Sequence, residues 1–288
     1  MIPSMNIIAW ANVAPWAEQR QIEQDLIISR ALIELFNDDF LKVELRFRGG
    51  TALNKLHFPE PLRYSEDIDL VRTKEGPIGP MLERIRETLR PWLGEAAFEQ
   101  SMVAPKLVYS ADAEDDGPPL RLKIEINTRE RATYDQPKDF LHKVENPWFS
   151  GQAILPSFSN EEMIATKLRA LLQRDKGRDL FDLSHALAIL PDLDVERVAA
   201  LFGQYLQAQG LRISKAQAEG RMFAKLANPG FLSDVRPLLA AEQAERLTDK
   251  TMKTAFANVF TRLVGNLPGD RWARTEEMIK RFGINVSQ

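Results

Sequence analysis

The stretch Leu41-Lys42-Val43-Glu44-Leu45-Arg46-Phe47-Arg48-Gly49-Gly50-Thr51-Ala52-Leu53-Asn54-Lys55-Leu56 is soon followed by Tyr64-Ser65-Glu66-Asp67-Ile68-Asp69-Leu70. From Leu41 to Arg48, apolar and polar residues alternate with the period of two expected of a half-buried strand. The run ends in a glycine pair. Thr51 to Phe58 is then expected as a short helix, with Thr51 as its N-cap and Pro59 and Pro61 as its stop. A strand passing through Gly-Gly into a helix offers N–H groups and the positive end of a helix dipole to an anion. Glycine suits such a turn because a Cβ would hold a phosphate away. The Thr51 hydroxyl and the Lys55 amine, one helical turn on, are expected at the same phosphates. Alone, a glycine pair is most often only a turn.

The acids that follow supply the second part. With Asp67 to Arg72 as a strand, Ile68 and Leu70 face the core and Asp67 and Asp69 share the other face, their Cα atoms roughly 6.5–7 Å apart. A third acid lies in Leu120 to Asn127, which alternates without error and puts Glu125 on the polar face with Lys123 and Asn127. Three such carboxylates form a donor set for Mg²⁺, either one ion or two about 3.5–4 Å apart. Asp69 and Glu125 are assigned to the side of an attacking hydroxyl, and Asp67 to bridging. An isolated Asp-x-Asp is usually a solvent-facing strand. The glycine turn, the pair and the third acid together favour a site for nucleotidyl transfer.

Composition narrows the chemistry. There are no cysteines, which excludes disulfides, cysteine nucleophiles and thiolate metal centres. His57, His142 and His185 are scattered without metal-ligand spacing, so a hard cation on carboxylates is the metal to look for. No apolar run approaches the ~20 residues of a membrane span. No Lys or Arg precedes the apolar residues between Met1 and Pro15, so no secretory signal is expected and the cytoplasm is the expected compartment. The net charge is −3, unevenly spread: 19 basic against 16 acidic residues from Ser159 onward, 19 against 25 before it. An acidic part with a metal site beside a mildly basic part is compatible with an RNA substrate. There is no Gly-x4-Gly-Lys-Ser/Thr loop, Gly-x-Gly-x-x-Gly or His-Asp dipeptide, so P-loop, kinase and HD-hydrolase readings lack their parts.

Elsewhere, Trp16 to Asp38 reads as an amphipathic helix, Pro77 to Leu93 as a helix and Met102 to Ser110 as a strand. Ala111 to Pro119 reads as a solvated loop or hairpin and Gln152 to Phe158 as a last short strand. The pattern then turns helical, with Glu161 to Gln173, Arg178 to Ile189 and Val195 to Gln209, punctuated by Pro191, Pro229, Pro237 and Pro268. The expected organisation is an α/β domain over 1–158 and an all-helical domain over 159–288. Within the second, Lys167 lies beside the stripe of Ala165, Leu168, Leu171 and Leu172. Asp179 and Asp182 lie one turn apart on the next helix, placed to cap or to pair with Arg178 and Lys167. From spacing alone, an inter-helix salt-bridge cluster and a functional site are equally good readings. Arg246, Lys250 and Lys253 fall on one helical stripe, which favours RNA slightly, though a solvated face is the ordinary explanation.

Arg48 to Leu56 with Arg63 to Leu70 resembles the AbiEii/AbiGii-type toxin family of nucleotidyltransferases. Lys123-Ile124-Glu125-Ile126 and Lys167 to Leu183 are similar to that family's third and fourth motifs. The resemblance implies an α+β fold: a DNA-polymerase-β-like nucleotidyltransferase core, a mixed sheet with flanking helices, followed by an all-helical C-terminal domain. It implies Mg²⁺-dependent transfer of NMP from an NTP, with the tRNA 3′ end as acceptor. It also implies a toxin–antitoxin or phage-defence role, with a separate antitoxin protein as partner. Carried over by position, Gly49, Gly50 and Thr51 hold phosphates; Asp67, Asp69 and Glu125 bind metal, Glu125 standing where the family often has Asp; Lys167 contacts the nucleotide; and Asp179 or Asp182 completes the fourth motif. Ser65, Arg178 and Asp179 join the expected nucleotide-binding set, and Lys167 and Asp182 the catalytic one. The competing readings are a small-molecule or protein acceptor and a non-catalytic NTP-binding module. Clustered acids weigh against the last, being costly to keep without a cation.

Overall fold

Two helices open the chain, α1 (Ser4–Trp10) and α2 (Gln19–Asn37), and the residues after them depart from the expected pattern. In the computed structural model, which describes residues 1–100, 104–228 and 230–286, the first strand is half its expected length. The Asp38 carboxylate accepts a hydrogen bond from the Leu41 N–H (2.9 Å) and caps a helix, α3 (Asp39–Glu44). Leu41 and Leu45 are both buried at a helical spacing of four, whereas Val43 is 60% exposed. Alternation over so few residues is equally the signature of a helical turn, and the cap settles it. Only β1 (Leu45–Arg48) is extended. The chain then enters α4 (Gly49–Ala52) and continues through a wider π-type turn to His57. The helix therefore begins at Gly49, not after Thr51.

The other strands are β2 (Asp67–Arg72), β3 (Ala97–Gln100), β4 (Pro105–Ala111) and β5 (Leu120–Asn127), with α5 (Gly79–Leu93) between β2 and β3. β2 and β5 have the bounds their alternation predicts. The expected strand start at Met102 and the breaker Pro229 lie outside the described residues. The strands form a five-stranded mixed sheet in the order β1-β2-β5-β4-β3, in which β2 and β5 pair in parallel and every other neighbour is antiparallel. A parallel pair needs a long crossover, here α5, β3 and β4. Phe47, Ile68, Leu70, Leu107, Leu122, Ile124 and Ile126 are all buried, and α2 packs on β5 as α5 packs on β4. A hairpin of β6 (Lys138–Asn146) and β7 (Phe149–Ser157) forms a separate two-stranded sheet, where one strand was expected.

The chain divides into two compact units, Met1–Ser159 and Asn160–Gln288. The second is helical: α6 (Asn160–Gln173), α7 (Gly177–Ile189), α8 (Val195–Gln207), α9 (Lys215–Leu226), α10 (Ala241–Arg246), α11 (Asp249–Arg262) and α12 (Thr275–Phe282). There α6 packs on α7 and α8, and α7 on α11. The basic stripe does not form. Arg246 closes α10, Thr248 caps the start of α11 ahead of Lys250 and Lys253, and Arg246 and Lys253 pair with Glu242 and Asp249. No helix among the described residues is long and apolar enough to cross a membrane.

The first unit is pinned by Asp25, only 4% exposed on α2. Its carboxylate accepts from Trp10 Nε1 (2.9 Å), Trp16 Nε1 (3.3 Å) and Lys55 Nζ (2.8 Å), and the same amine donates to Ser29 Oγ (2.9 Å). Removing one partner of a buried pair strands the other. Asp25→Ala is therefore expected to cost about 3–5 kcal/mol, seen as a fall of roughly 10 °C in the melting temperature; an unchanged midpoint contradicts this role.

Candidate active site

A turn with no room for side chains carries the site. Gly49 has φ +84°, and a Cβ there would stand 2.0 Å from Asp69 Oδ2. Only glycine fits both the left-handed backbone and the approach of that carboxylate. The Asn54 side chain fastens the following residues: its amide donates to Gly50 O (2.9 Å), and its oxygen accepts from the N–H groups of Leu62 and Arg63 (3.0 Å each). Thr51 does not cap. It is buried, its hydroxyl donates to the Asp67 carbonyl (2.5 Å), and it lies in hydrogen-bond contact with Ser65 Oγ (2.9 Å). Thr51 and Ser65 thus tie the helix start to the head of β2. Lys55, expected at the phosphates, is instead committed to Asp25 and Ser29 inside the unit.

Strand register places the acids. Asp69 stands opposite Glu125 across the parallel β2–β5 pair, and Asp67 stands opposite Lys123. Alternating burial along both strands turns all four toward the same half-exposed face, while Ile68, Ile124 and Ile126 are buried behind it. Neighbouring strands run about 4.8 Å apart, so Asp69 and Glu125 are one strand spacing from each other. The antiparallel β4 adds Lys106 opposite Glu125. Lys106 Nζ lies 2.8 Å from Glu125 Oε2, and Lys123 Nζ lies 2.8 Å from Asp67 Oδ2. Burial opposes the charge of Lys123, but its hydrogen bond to Asp67 and the charges of Asp67, Asp69 and Glu125 outweigh it and raise its pKa. Among the described residues no three acidic or histidine side chains are gathered as a ready metal cage. The expected convergence of Asp67, Asp69 and Glu125 on one point is thus not present: the three share a face, and two of them are drawn aside by lysines. Lys106 escaped the sequence reading because nothing local in β4 reveals which residue of β5 it will face.

The fourth piece is a buried cluster in the helical unit. Lys167 Nζ of α6 reaches Asp182 Oδ2 (2.9 Å) and Asp179 Oδ1 (3.3 Å) on α7. Arg174 adds a two-pronged contact to Asp179, Nε to Oδ2 at 2.7 Å and NH2 to Oδ1 at 2.9 Å. Asp179 and Asp182 are fully buried and Lys167 is 6% exposed. Burial pushes the Asp179 carboxyl up, but the charges of Lys167 and Arg174 and the Arg174 hydrogen bond prevail, leaving its pKa below the ordinary value. The start of α7 has its own constraint. A Cβ on Gly177 would meet the Phe231 carbonyl oxygen at 1.8 Å, and the Gly177 N–H donates to Asp234 Oδ2 (3.1 Å). Arg178 is half-buried beside it, its charge acting on Asp234.

A glycine-opened helix after a strand, with paired aspartates on the next strand of a mixed sheet, defines the class: the protein is a nucleotidyltransferase. The family model described as "Nucleotidyl transferase AbiEii toxin, Type IV TA system" matches residues 30–276, and the chain belongs to that family of toxins of type IV toxin–antitoxin systems. Among solved structures, the fold is similar to MenT4, a nucleotidyltransferase toxin from Mycobacterium tuberculosis, with 18% identity over 99% of both chains and a TM-score of 0.65. It is also similar to JHP933 from Helicobacter pylori, with 17% identity over 92% of this chain and 96% of that one and a TM-score of 0.55. A search of curated proteins gives no match.

Asp179 titrates with a defined sign. Its folded pKa lies below the unfolded value of about 3.9. Its ion pairs therefore stabilise the unit above about pH 4 and are lost as pH falls through the folded value. Asp179→Asn should lower stability at pH 7 by about 3 kcal/mol, and the gap to wild type should narrow on acidification in melting curves taken from pH 7 to 3. A gap of constant size across that range contradicts the assignment.

Proposed function

We propose that the protein transfers NMP from an NTP to an acceptor hydroxyl with the help of Mg²⁺, that the acceptor is the 3′ end of tRNA, and that this is the toxic activity of the chain. One observation supports it above others: two distant strands pair so that Asp69 and Glu125 stand side by side with Asp67 on the same face, directly against the glycine turn. The donor set suits a hard divalent ion, since all its candidate ligands are carboxylate oxygens, and the absence of a Cβ on Gly49 lets the Asp69 carboxylate lie against the turn. When bound there, the ion supplies charge neutralisation for the triphosphate and a lowered pKa for the attacking hydroxyl.

The chain's own residues do the rest. Gly49 and Gly50 offer the first N–H groups of a helix to the triphosphate, whose negative charge the helix start favours. Thr51 and Ser65, bonded to each other, set the distance between that turn and Asp67. Asp69 and Glu125 orient the acceptor hydroxyl and a carboxylate of that pair takes its proton, as its oxygen bonds to the α-phosphorus and the bond to pyrophosphate breaks. The contacts of Lys167 favour positioning of α6 on α7, together with Asp179 and Asp182, over direct contact with the nucleotide. An RNA acceptor is supported by the net positive charge from Ser159 onward and by the family resemblance. A separate antitoxin, a part in defence against phage and a cytoplasmic location follow from the same reading.

Asp69→Ala should reduce transfer below about one per cent of wild type, since several kcal/mol of charge stabilisation go with one lost ligand, and should leave the melting temperature nearly unchanged because the side chain is half-exposed. Label transfer from each α-labelled NTP to total tRNA, with Mg²⁺ present, measures it. Full activity in the variant rejects the site, and label on a small molecule or protein instead of RNA rejects the acceptor.

A further inference from the structure

We propose that Lys106 and Lys123 are resident counter-cations of the carboxylate face, which a divalent ion must displace, so that the site takes up metal together with a nucleoside triphosphate and only weakly before it. The inference rests on the metal assignment made above and concerns two residues to which that assignment gives no part. The amines of both lysines stand 2.8 Å from oxygens of the acids assigned to the metal, Lys106 on Glu125 and Lys123 on Asp67. Strand register holds them there. Lys106 of β4 faces Glu125, Lys123 of β5 faces Asp67, and all lie on the same side of the sheet. Both pairs are partly shielded, with side-chain exposures of 24% and 32% for Lys106 and Glu125, and 32% and 31% for Lys123 and Asp67. Ion pairs so shielded are screened by salt less than surface pairs are.

The charges give the consequence. The two ammoniums offset the charges of Glu125 and Asp67, two of the three acids assigned to the metal. A divalent ion arriving alone meets a face whose negative charge is already partly offset and has to compete for oxygens already bonded to ammonium groups. Mg²⁺ needs those oxygens at about 2.0–2.1 Å, and a dication and an ammonium on one oxygen repel each other. A nucleoside triphosphate changes the balance. Its phosphate oxygens give the released ammoniums new partners within the sweep of a four-carbon arm, and its charge offsets the incoming ion. Metal and triphosphate then raise each other's affinity by the same factor, as linkage requires. Without either, the lysines keep three neighbouring carboxylates compatible with a folded sheet.

The test is Mn²⁺ binding to the full chain, followed by electron paramagnetic resonance with and without a non-hydrolysable nucleoside triphosphate. Without nucleotide, wild type should bind Mn²⁺ weakly. Lys106→Met and Lys123→Met should each bind it about tenfold more tightly, an ordinary size for a coupling, and Lys106→Arg should behave as wild type. Adding the triphosphate should tighten Mn²⁺ binding to wild type by a larger factor than to the Lys106→Met, Lys123→Met double variant. Melting curves identify any variant that is not folded, and the two single variants report independently. Equal Mn²⁺ affinity in wild type and folded lysine variants overturns the proposal and leaves the metal assignment standing. Absence of Mn²⁺ binding in every protein, with and without nucleotide, overturns both.

Discussion

Pairing β2 with β5 in parallel brings carboxylates from segments more than fifty residues apart within one strand spacing, and like charges held that close require cations. The rest of the first unit meets that requirement. The alternation of both strands buries Ile68, Leu70, Ile124 and Ile126 on one side and commits the acids to the other, because a slip of one residue would exchange the two faces. Gly49 surrenders its side chain to Asp69, and Thr51 and Ser65 hold the helix start against the head of β2. Lys106 and Lys123 complete the arrangement from β4 and β5.

Buried charge also organises the two units internally. Asp25 gathers Trp10, Trp16 and Lys55, and Lys167 gathers Asp179 and Asp182, with Arg174 closing on the same Asp179. Such clusters are poor sources of net stability, because desolvation consumes most of the Coulombic gain, but each is unforgiving of losing one member. They fix which helix faces which. The segment from Lys167 to Asp182 forms a clamp between two helices.

Much of this was legible in the sequence where a pattern was long or a residue type was restrictive. The six- and eight-residue alternations of β2 and β5 yielded their bounds, and the glycine pair marked the turn. Legibility failed where a short pattern fits two periods. Leu41 to Glu44 alternates, yet Asp38 caps it as a helix and the spacing of Leu41 from Leu45 is helical. The stripe of Arg246, Lys250 and Lys253 assumed one helix where Thr248 starts a new one. Partners from distant segments escaped altogether. Neither the capture of Glu125 by Lys106 nor the engagement of Lys55 by Asp25 has a local signature, since each depends on segments meeting only in the fold. The hairpin partner β6 was missed because most of its side chains are exposed or half-buried, leaving no hydrophobic period to read.

The central claim is that this face binds a divalent ion and a triphosphate together. A crystal structure of the full chain with Mn²⁺ and a non-hydrolysable nucleoside triphosphate tests it most directly. The account predicts metal bonded to oxygens of Asp67 and Asp69 with Glu125 drawn toward it, and the triphosphate on the N–H groups of Gly49 and Gly50. Metal with no bond to either aspartate, or a triphosphate seated away from the glycine turn, would contradict it.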